Sequence, residues 1–337
     1  MIDSLIRSPL EAVPAGPIRP HTRRFEAIGT RWQIDTARAL RPAQWSTLHA
    51  RIDEFDRTWS RFRSDSLVSR LADGPRTVEF PAEAEPLIGL YRRLYDGTAG
   101  AVTPLIGGTL ADLGYDAGYR FAPASTVRAT PVWDEAMHWD GPVVTTTAPI
   151  VLDVGAAGKG MLVDILGDVL TSFDVGSFVV DGSGDLLHRG PDAVRVGLEH
   201  PADPSKVIGV VPVSDDALAA SAGNRRSWAG LHHIIDPRTS GPIRDVVALT
   251  AADVDVFAVH GAPDGRGLGQ GVYVAAAHPD QLAAPQPQPA QAQQDEPVTG
   301  GSAGAQHRQQ IVVGDGRRGR FRYGKAVPGP WAGHDNG

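Results

Sequence analysis

The chain has 337 residues, no cysteine, and 39 acidic against 32 basic side chains, for a formal charge of −7. This excludes structural disulfides, thiol nucleophiles and thiolate metal sites, and it argues against nucleic acid as the main partner. The length suffices for a full core in one large domain or two lobes, and no run of about 18 apolar residues marks a membrane segment, so the sequence reads as soluble and cytoplasmic.

Residues 1–22 hold four prolines and no sustained period, which reads as a flexible N-terminal arm. Phe25 to Thr36 reads as a strand bent at Gly29. From Ala43 to Trp59 the apolar residues Trp45, Leu48, Ile52, Phe55 and Trp59 recur at helical spacing, and a second helical stretch runs from Pro86 to Tyr95. Pro149 to Val154 reads as a short apolar strand. A Gly-rich turn follows it, then a helix with Leu162, Ile165, Leu166, Val169 and Leu170 as its stripe. Phe178 to Asp181 reads as a strand ending at Gly182-Ser-Gly-Asp185, with Val194 to Leu198 as the following hairpin strand. Leu231 to Pro242 is a β-run closed by a turn. Past residue 250 the character changes: Gln281 to Gln310 is rich in Pro, Gln, Gly and Ser, a composition that buries too little apolar surface to offset the ordering entropy of its backbone. The domain reading is therefore 23–250, with 251–337 an atypical, largely disordered tail.

Three clusters carry chemistry. Asp153-Val-Gly-Ala-Ala-Gly-Lys-Gly160 places backbone donors and one ammonium at a helix N-terminus, which suits an anion such as a pyrophosphate; the alternative is a tight turn with a solvated lysine. Lys159 is one of only three lysines in the chain, so a compact ammonium is wanted at this position. His232 and His233 precede Ile-Ile-Asp-Pro-Arg. One of them suits a general base, because imidazole titrates near neutrality, or else is a hydrogen-bonded histidine on a half-buried strand. Adjacent strand residues point to opposite faces, so only one of the two faces a site. Gly182-Ser-Gly-Asp185 reads either as a ligand-binding backbone or as a plain turn.

Taken in order, these pieces resemble the ApbE family, the FAD:protein FMN transferases. Ile28-Gly-Thr30 resembles the family's Met-Gly-Thr entry, and Phe55-Asp-x-x-Trp-Ser-Arg-Phe-Arg-Ser-Asp-Ser66 its Ser-x-aromatic segment. Gly100-Ala-Val-Thr-Pro-Leu resembles its Gly-Ala-Phe-Asp-x-Thr, and Asp153 to Gly160 its Asp-x-Gly-x-x-x-Lys-Gly. Gly182-Ser-Gly-Asp185 matches a Gly-Gly-Asp turn, and His233-Ile-Ile-Asp-Pro-Arg-Thr239 a His-Ile-x-Asp-Pro-x-Thr signature. The resemblance implies an α+β, T-fold-like, two-lobed architecture with mixed antiparallel sheets. It also implies FAD as substrate, Mg²⁺ as cofactor, and an acceptor flavoprotein carrying a Thr or Ser that receives FMN as AMP leaves. Carried over by position, Ile28, Phe62, Ala101, Val102, Thr103, Asp153, Lys159 and Ile235 line the FAD site and His233 is catalytic. The Ala156 carbonyl and Asp264 ligate the metal. The chain departs from the pattern at Thr103, where many members have Asp, and at Leu268, which offers no oxygen where the family's second C-terminal metal ligand is a Thr.

Overall fold

A computed structural model describes residues 21–200, 203–244, 246–252, 255–260, 312–315 and 320–323. Its first strand, His21–Ala27, returns through Ile28-Gly29 into Thr30–Thr36, so the stretch read as one bent strand is a hairpin. Both turn residues have positive φ, +43° and +72°, as a two-residue turn matching the strand twist demands. Ile28 is β-branched and sits there against its own preference, which is why no turn signal showed in the sequence.

Thr30–Thr36 sends Trp32 and Ile34 into the core. It pairs with Phe178–Asp181, and the sheet continues through Asp185–Arg189, Ala217–Ala222, Val246–Ala252, Asp255–His260, Val312–Asp315 and Arg320–Tyr323. Every pairing among the described residues is antiparallel. The partner of Phe178–Asp181 is Asp185–Arg189, not the expected Val194–Leu198, because the turn at Gly182 reverses the chain at once. Val194–His200 instead forms a separate ribbon with Asp203–Val213. The apolar run Val256 to Val259 and the alternating Arg320–Tyr323 carry the sheet past residue 250, where the sequence reading ended the domain. Residues 261–311, including the Pro-Gln segment, lie outside the described residues.

Two long helices cover the sheet. Pro42–Trp59 starts with proline in its first turn and buries Leu48, Ile52, Phe55 and Trp59, while Gly158–Ser172 buries Leu162, Val163, Leu166 and Leu170. All eight join the core cluster that contains Trp32, Ile34, Phe178, Val180 and Leu187, and each fully buried leucine stabilises the fold by about 2 kcal/mol. The helix Gly158–Ser172 lies so close to the sheet that a methyl group on Gly167 would sit 2.3 Å from Leu187 Cδ2. The helix read from Pro86 extends over Ala84–Gly97. A three-stranded sheet of Thr77–Glu79, Val143–Thr146 and Met137–Asp140 stands apart from the main one. No helix among the described residues is long and apolar enough to cross a membrane.

Candidate active site

The expected strand at Pro149 to Val154 joins no sheet. Its donors go to loops, Ile150 N–H to the Leu71 carbonyl at 2.9 Å and Asp153 N–H to the Pro104 carbonyl at 2.7 Å. The two-residue period survives: Ile150, Leu152 and Val154 are buried in the core, which turns Asp153 to the opposite side.

There Asp153 meets Arg61. The guanidinium Nε donates to Oδ2 at 2.6 Å, and the two side chains are only 4% and 15% exposed. Oδ1 accepts from Gly155 N–H at 2.7 Å, which fixes the turn. Burial by itself raises the Asp153 carboxyl, but Arg61, the Gly155 N–H and the charge of Arg226 outweigh it and hold the group below the usual carboxylate range. Arg61 also donates to the Tyr115 carbonyl at 2.8 Å and lies over the Phe62 ring at 4.2 Å. Its remaining Nη2 is buried without a partner. Sequence reasoning missed Arg61. The only signal was its place inside the Ser-x-aromatic segment, where one arginine among many reads as a solvated charge.

The helix Gly158–Ser172 begins at Ala157 with no side-chain cap of its own. The buried Tyr91 hydroxyl accepts the Ala157 N–H at 3.2 Å instead. Burial is the main cause that raises this phenol, so it stays protonated. Gly155 and Ala156 remain exposed, with the first turn of the helix behind them.

Lys159 faces the Gly182-Ser-Gly-Asp185 turn. Its Nζ pairs with Asp185 Oδ2 at 2.6 Å and donates to the Ser183 carbonyl at 3.0 Å, with 21% of the side chain exposed. An ammonium has three donors, so one remains for an incoming anion. The turn itself is closed by Asp181, which accepts from Ser183 N–H at 2.8 Å.

The strand expected through both histidines is broken: His232 ends the short strand Leu231–His232, and His233 lies in the bend before Ile235–Asp236. His232 Nδ1 accepts from Ile234 N–H at 3.2 Å and Nε2 contacts the Ile243 carbonyl at 2.7 Å, so the proton is assigned to Nε2 and both nitrogens are engaged. His233 N–H donates to the Arg226 carbonyl at 3.2 Å, while its Nδ1 is buried without a partner. Burial and then the Arg226 charge push His233 down to about 4, against smaller opposing effects of the Arg226 backbone and then of Asp153. The imidazole is therefore neutral at pH 7. Arg226 in turn donates to the Tyr115 hydroxyl at 2.6 Å.

The remaining predicted positions occupy an apolar cluster, the tip of the first hairpin and the loop before Pro104. Phe62 and Ile235 belong to one apolar cluster with Leu110, Leu113, Tyr115 and Trp228. Ile28 is the half-buried tip of the first hairpin. Ala101 and Val102 are half-buried, and the Val102 N–H donates to Thr98 Oγ1 at 3.1 Å. Thr103 is buried, its hydroxyl accepting the Leu105 N–H at 3.2 Å to cap the short turn Pro104–Ile106. The structure thus brings together segments 61–62, 115, 153–155 and 226–235, and it links Lys159 to 182–185. Asp264 lies outside the described residues, and among those residues no three His, Asp or Glu side chains gather as a metal cluster. A separate cavity of about 410 Å³ between Ala84–Gly97 and Met137–Asp140 contains none of the predicted site residues.

Comparison with known proteins places the chain in a family. The model of the ApbE family matches residues 28–260, which span every described segment of the site. The chain belongs to the ApbE family. Among ApbE relatives, the FAD:protein FMN transferase of Vibrio cholerae is 27% identical over 281 residues, covering 74% of this chain and 83% of the relative. Two solved ApbE structures share the fold. That from Thermotoga maritima has a TM-score of 0.60 at 22% identity over 69% of this chain and 81% of its own. The Pseudomonas stutzeri flavinyl transferase ApbE, in its apo form, has a TM-score of 0.60 at 17% identity over 75% and 97%. The expected α+β fold with antiparallel sheets is the one observed.

Proposed function

We propose that this ApbE chain is an FAD:protein FMN transferase that moves FMN from FAD to a Thr or Ser hydroxyl of an acceptor flavoprotein. The observation that carries the reading is the buried Arg61–Asp153 pair beside the Gly-rich turn, joined through Tyr115 and Arg226 to a neutral His233. In the reaction the acceptor oxygen bonds to the phosphorus of the FMN half. The hydroxyl proton passes to His233, and the bond from that phosphorus to the bridging oxygen breaks, so that AMP leaves with the oxygen. The exposed turn at Gly155 and Ala156 presents the positive end of the helix to the diphosphate, and Lys159 adds its remaining N–H.

Mg²⁺ belongs to the proposal as the charge-neutralising ion at the diphosphate. The described residues offer it the Ala156 carbonyl but no carboxylate cluster, since Asp153 is held by Arg61 and Asp185 by Lys159. Its further oxygens must come from the substrate and from the stretch containing Asp264, and no step above is derived through it. The absence of a threonine at Leu268 favours a second reading, an FAD-binding protein with impaired chemistry.

One experiment separates the readings: purified protein is incubated with FAD, Mg²⁺ and a flavoprotein bearing an acceptor Thr or Ser. Covalent flavin on the acceptor is the expected result. FMN and AMP free in solution would make the protein a pyrophosphatase, FAD held unreacted would support impairment, and failure to bind FAD would refute every version. We further expect Lys159→Ala to weaken FAD binding about tenfold, the scale of one lost charge-assisted hydrogen bond, with a smaller effect on turnover of the bound substrate. Unchanged FAD affinity in a titration would remove Lys159 from the diphosphate site.

A further inference from the structure

The loop after Leu113 carries two large aromatic side chains that the reading above leaves unused. Tyr119 and Phe121 are 44% and 43% exposed, and both sit at a φ of about +50°, a left-handed conformation that bulky residues avoid. The loop is nonetheless tightly built. Phe121 N–H donates to the Gly114 carbonyl at 2.8 Å, Tyr119 N–H donates to the Asp116 carbonyl at 3.0 Å, and Arg120 pairs with Asp116. Gly114 has a φ of +102°, and a methyl group there would lie 2.5 Å from the Ala122 nitrogen. Strained backbone that the surrounding contacts hold in place clusters at functional sites.

The placement of Tyr119 says which surface. Its ring stacks on Phe62 with centroids 5.2 Å apart and planes within 1° of parallel. Its hydroxyl faces the first hairpin, 3.8 Å from where a methyl on Gly29 would stand. Tyr119 therefore bridges Phe62 and the Ile28-Gly29 tip, two segments expected at the flavin site, and still leaves nearly half of itself open. Behind it, Tyr115 contacts the Tyr119 ring at 6.0 Å and receives hydrogen bonds from both Arg61 and Arg226, which ties the aromatic stack to the polar centre.

We propose that Tyr119 is a specificity-determining residue whose open surface stacks against the isoalloxazine ring of the dinucleotide, as the outer member of a stack that Phe62 begins. The proposal rests on the transferase reading and names the residue that selects its flat, electron-poor ring. An electron-rich phenol beside such a ring suits offset stacking, and ring-on-aromatic stacking of this kind is lost on alanine substitution at roughly a tenfold or greater cost in affinity.

The test compares FAD, FMN and ADP binding to the full-length protein and its Tyr119→Ala and Tyr119→Phe variants, with flavin fluorescence read alongside. Tyr119→Ala is expected to weaken FAD and FMN at least about tenfold, to leave ADP unchanged, and to relieve quenching of the bound flavin. Tyr119→Phe should restore affinity. The side chain is exposed, and an unchanged unfolding midpoint without ligand verifies that the fold is kept. A loss confined to ADP would move the stack to the adenine and overturn the proposal. So would unchanged flavin affinity with a raised KM for the acceptor, which would make the patch a protein-docking surface. If the unaltered protein binds no flavin, the transferase reading falls first, and the two failures are thereby told apart.

Discussion

Replacing His233 with alanine is expected to lower the turnover of flavin transfer by about a hundredfold or more, the usual contribution of a positioned general base, while FAD affinity changes little. The reason is electrostatic. Burial, reinforced by Arg226, lowers His233 to about 4, so the imidazole is unprotonated and ready to accept a proton throughout the neutral range. The acid limb of the kcat/KM profile should therefore lie well below 6.5. The same shift affects stability. The folded state binds the His233 proton less readily than the unfolded chain does, so this contribution is complete above about 6.5 and is lost as pH falls from there towards 4. A rate profile that breaks at 6.5, or an alanine variant that loses FAD binding as much as turnover, would remove His233 from the base role.

The second large effect is expected at Arg61. Arg61→Ala leaves the Asp153 carboxylate without its main counter-charge, keeping the Gly155 N–H and the more distant Arg226. Breaking a buried pair from one side costs about 3–5 kcal/mol, and with 15% of the Asp153 side chain still accessible the lower end applies. For a domain of this size that is a fall in the unfolding midpoint of roughly 6–10 °C. The sign of its pH dependence distinguishes charge from packing. With Arg61 present, Asp153 is held low, and its stabilisation exists above the unfolded carboxyl value and fades only as pH drops through the lower folded value. Without Arg61, burial dominates and raises the group, so the variant's deficit should be large at pH 7 and smaller near pH 4.5. Equal deficits at both pH values would mean that lost packing on Phe62 and Tyr115, and not an orphaned charge, is responsible. Arg61→Met keeps most of the apolar stem and checks the same point.

Which parts of this were readable in the sequence follows from what each signal encodes. The helices Pro42–Trp59 and Gly158–Ser172 were legible because a buried stripe repeats in the primary structure. The Pro149 to Val154 segment has a strand's alternation, yet alternation reports burial of one side and not whether a neighbouring strand supplies hydrogen bonds; here Leu71 and Pro104 supply them. Likewise, nothing local says that Val194–His200 pairs forward with Asp203–Val213 and not back onto Phe178–Asp181. At the site, Asp153 and His233 stood out through motif chemistry. Arg61 did not, because its importance arises only from a carboxylate far along the chain. Lys159 stood out in the Gly-rich turn, but nothing local says that it pairs with Asp185.

That separation along the chain also bears on how the protein reaches its native state. Arg61 comes from just after the first long helix, and His233 from the short ladders near the end of the family region, so the pocket exists only once a long loop has been closed, an entropic toll that grows slowly with its length. A dinucleotide that contacts both ends therefore recognises only completely assembled molecules. Present at a hundred times its dissociation constant, it adds about 2.7 kcal/mol to their persistence. On the proposed function the substrate would act as a clasp on the finished fold, and partially assembled chains would gain nothing from it.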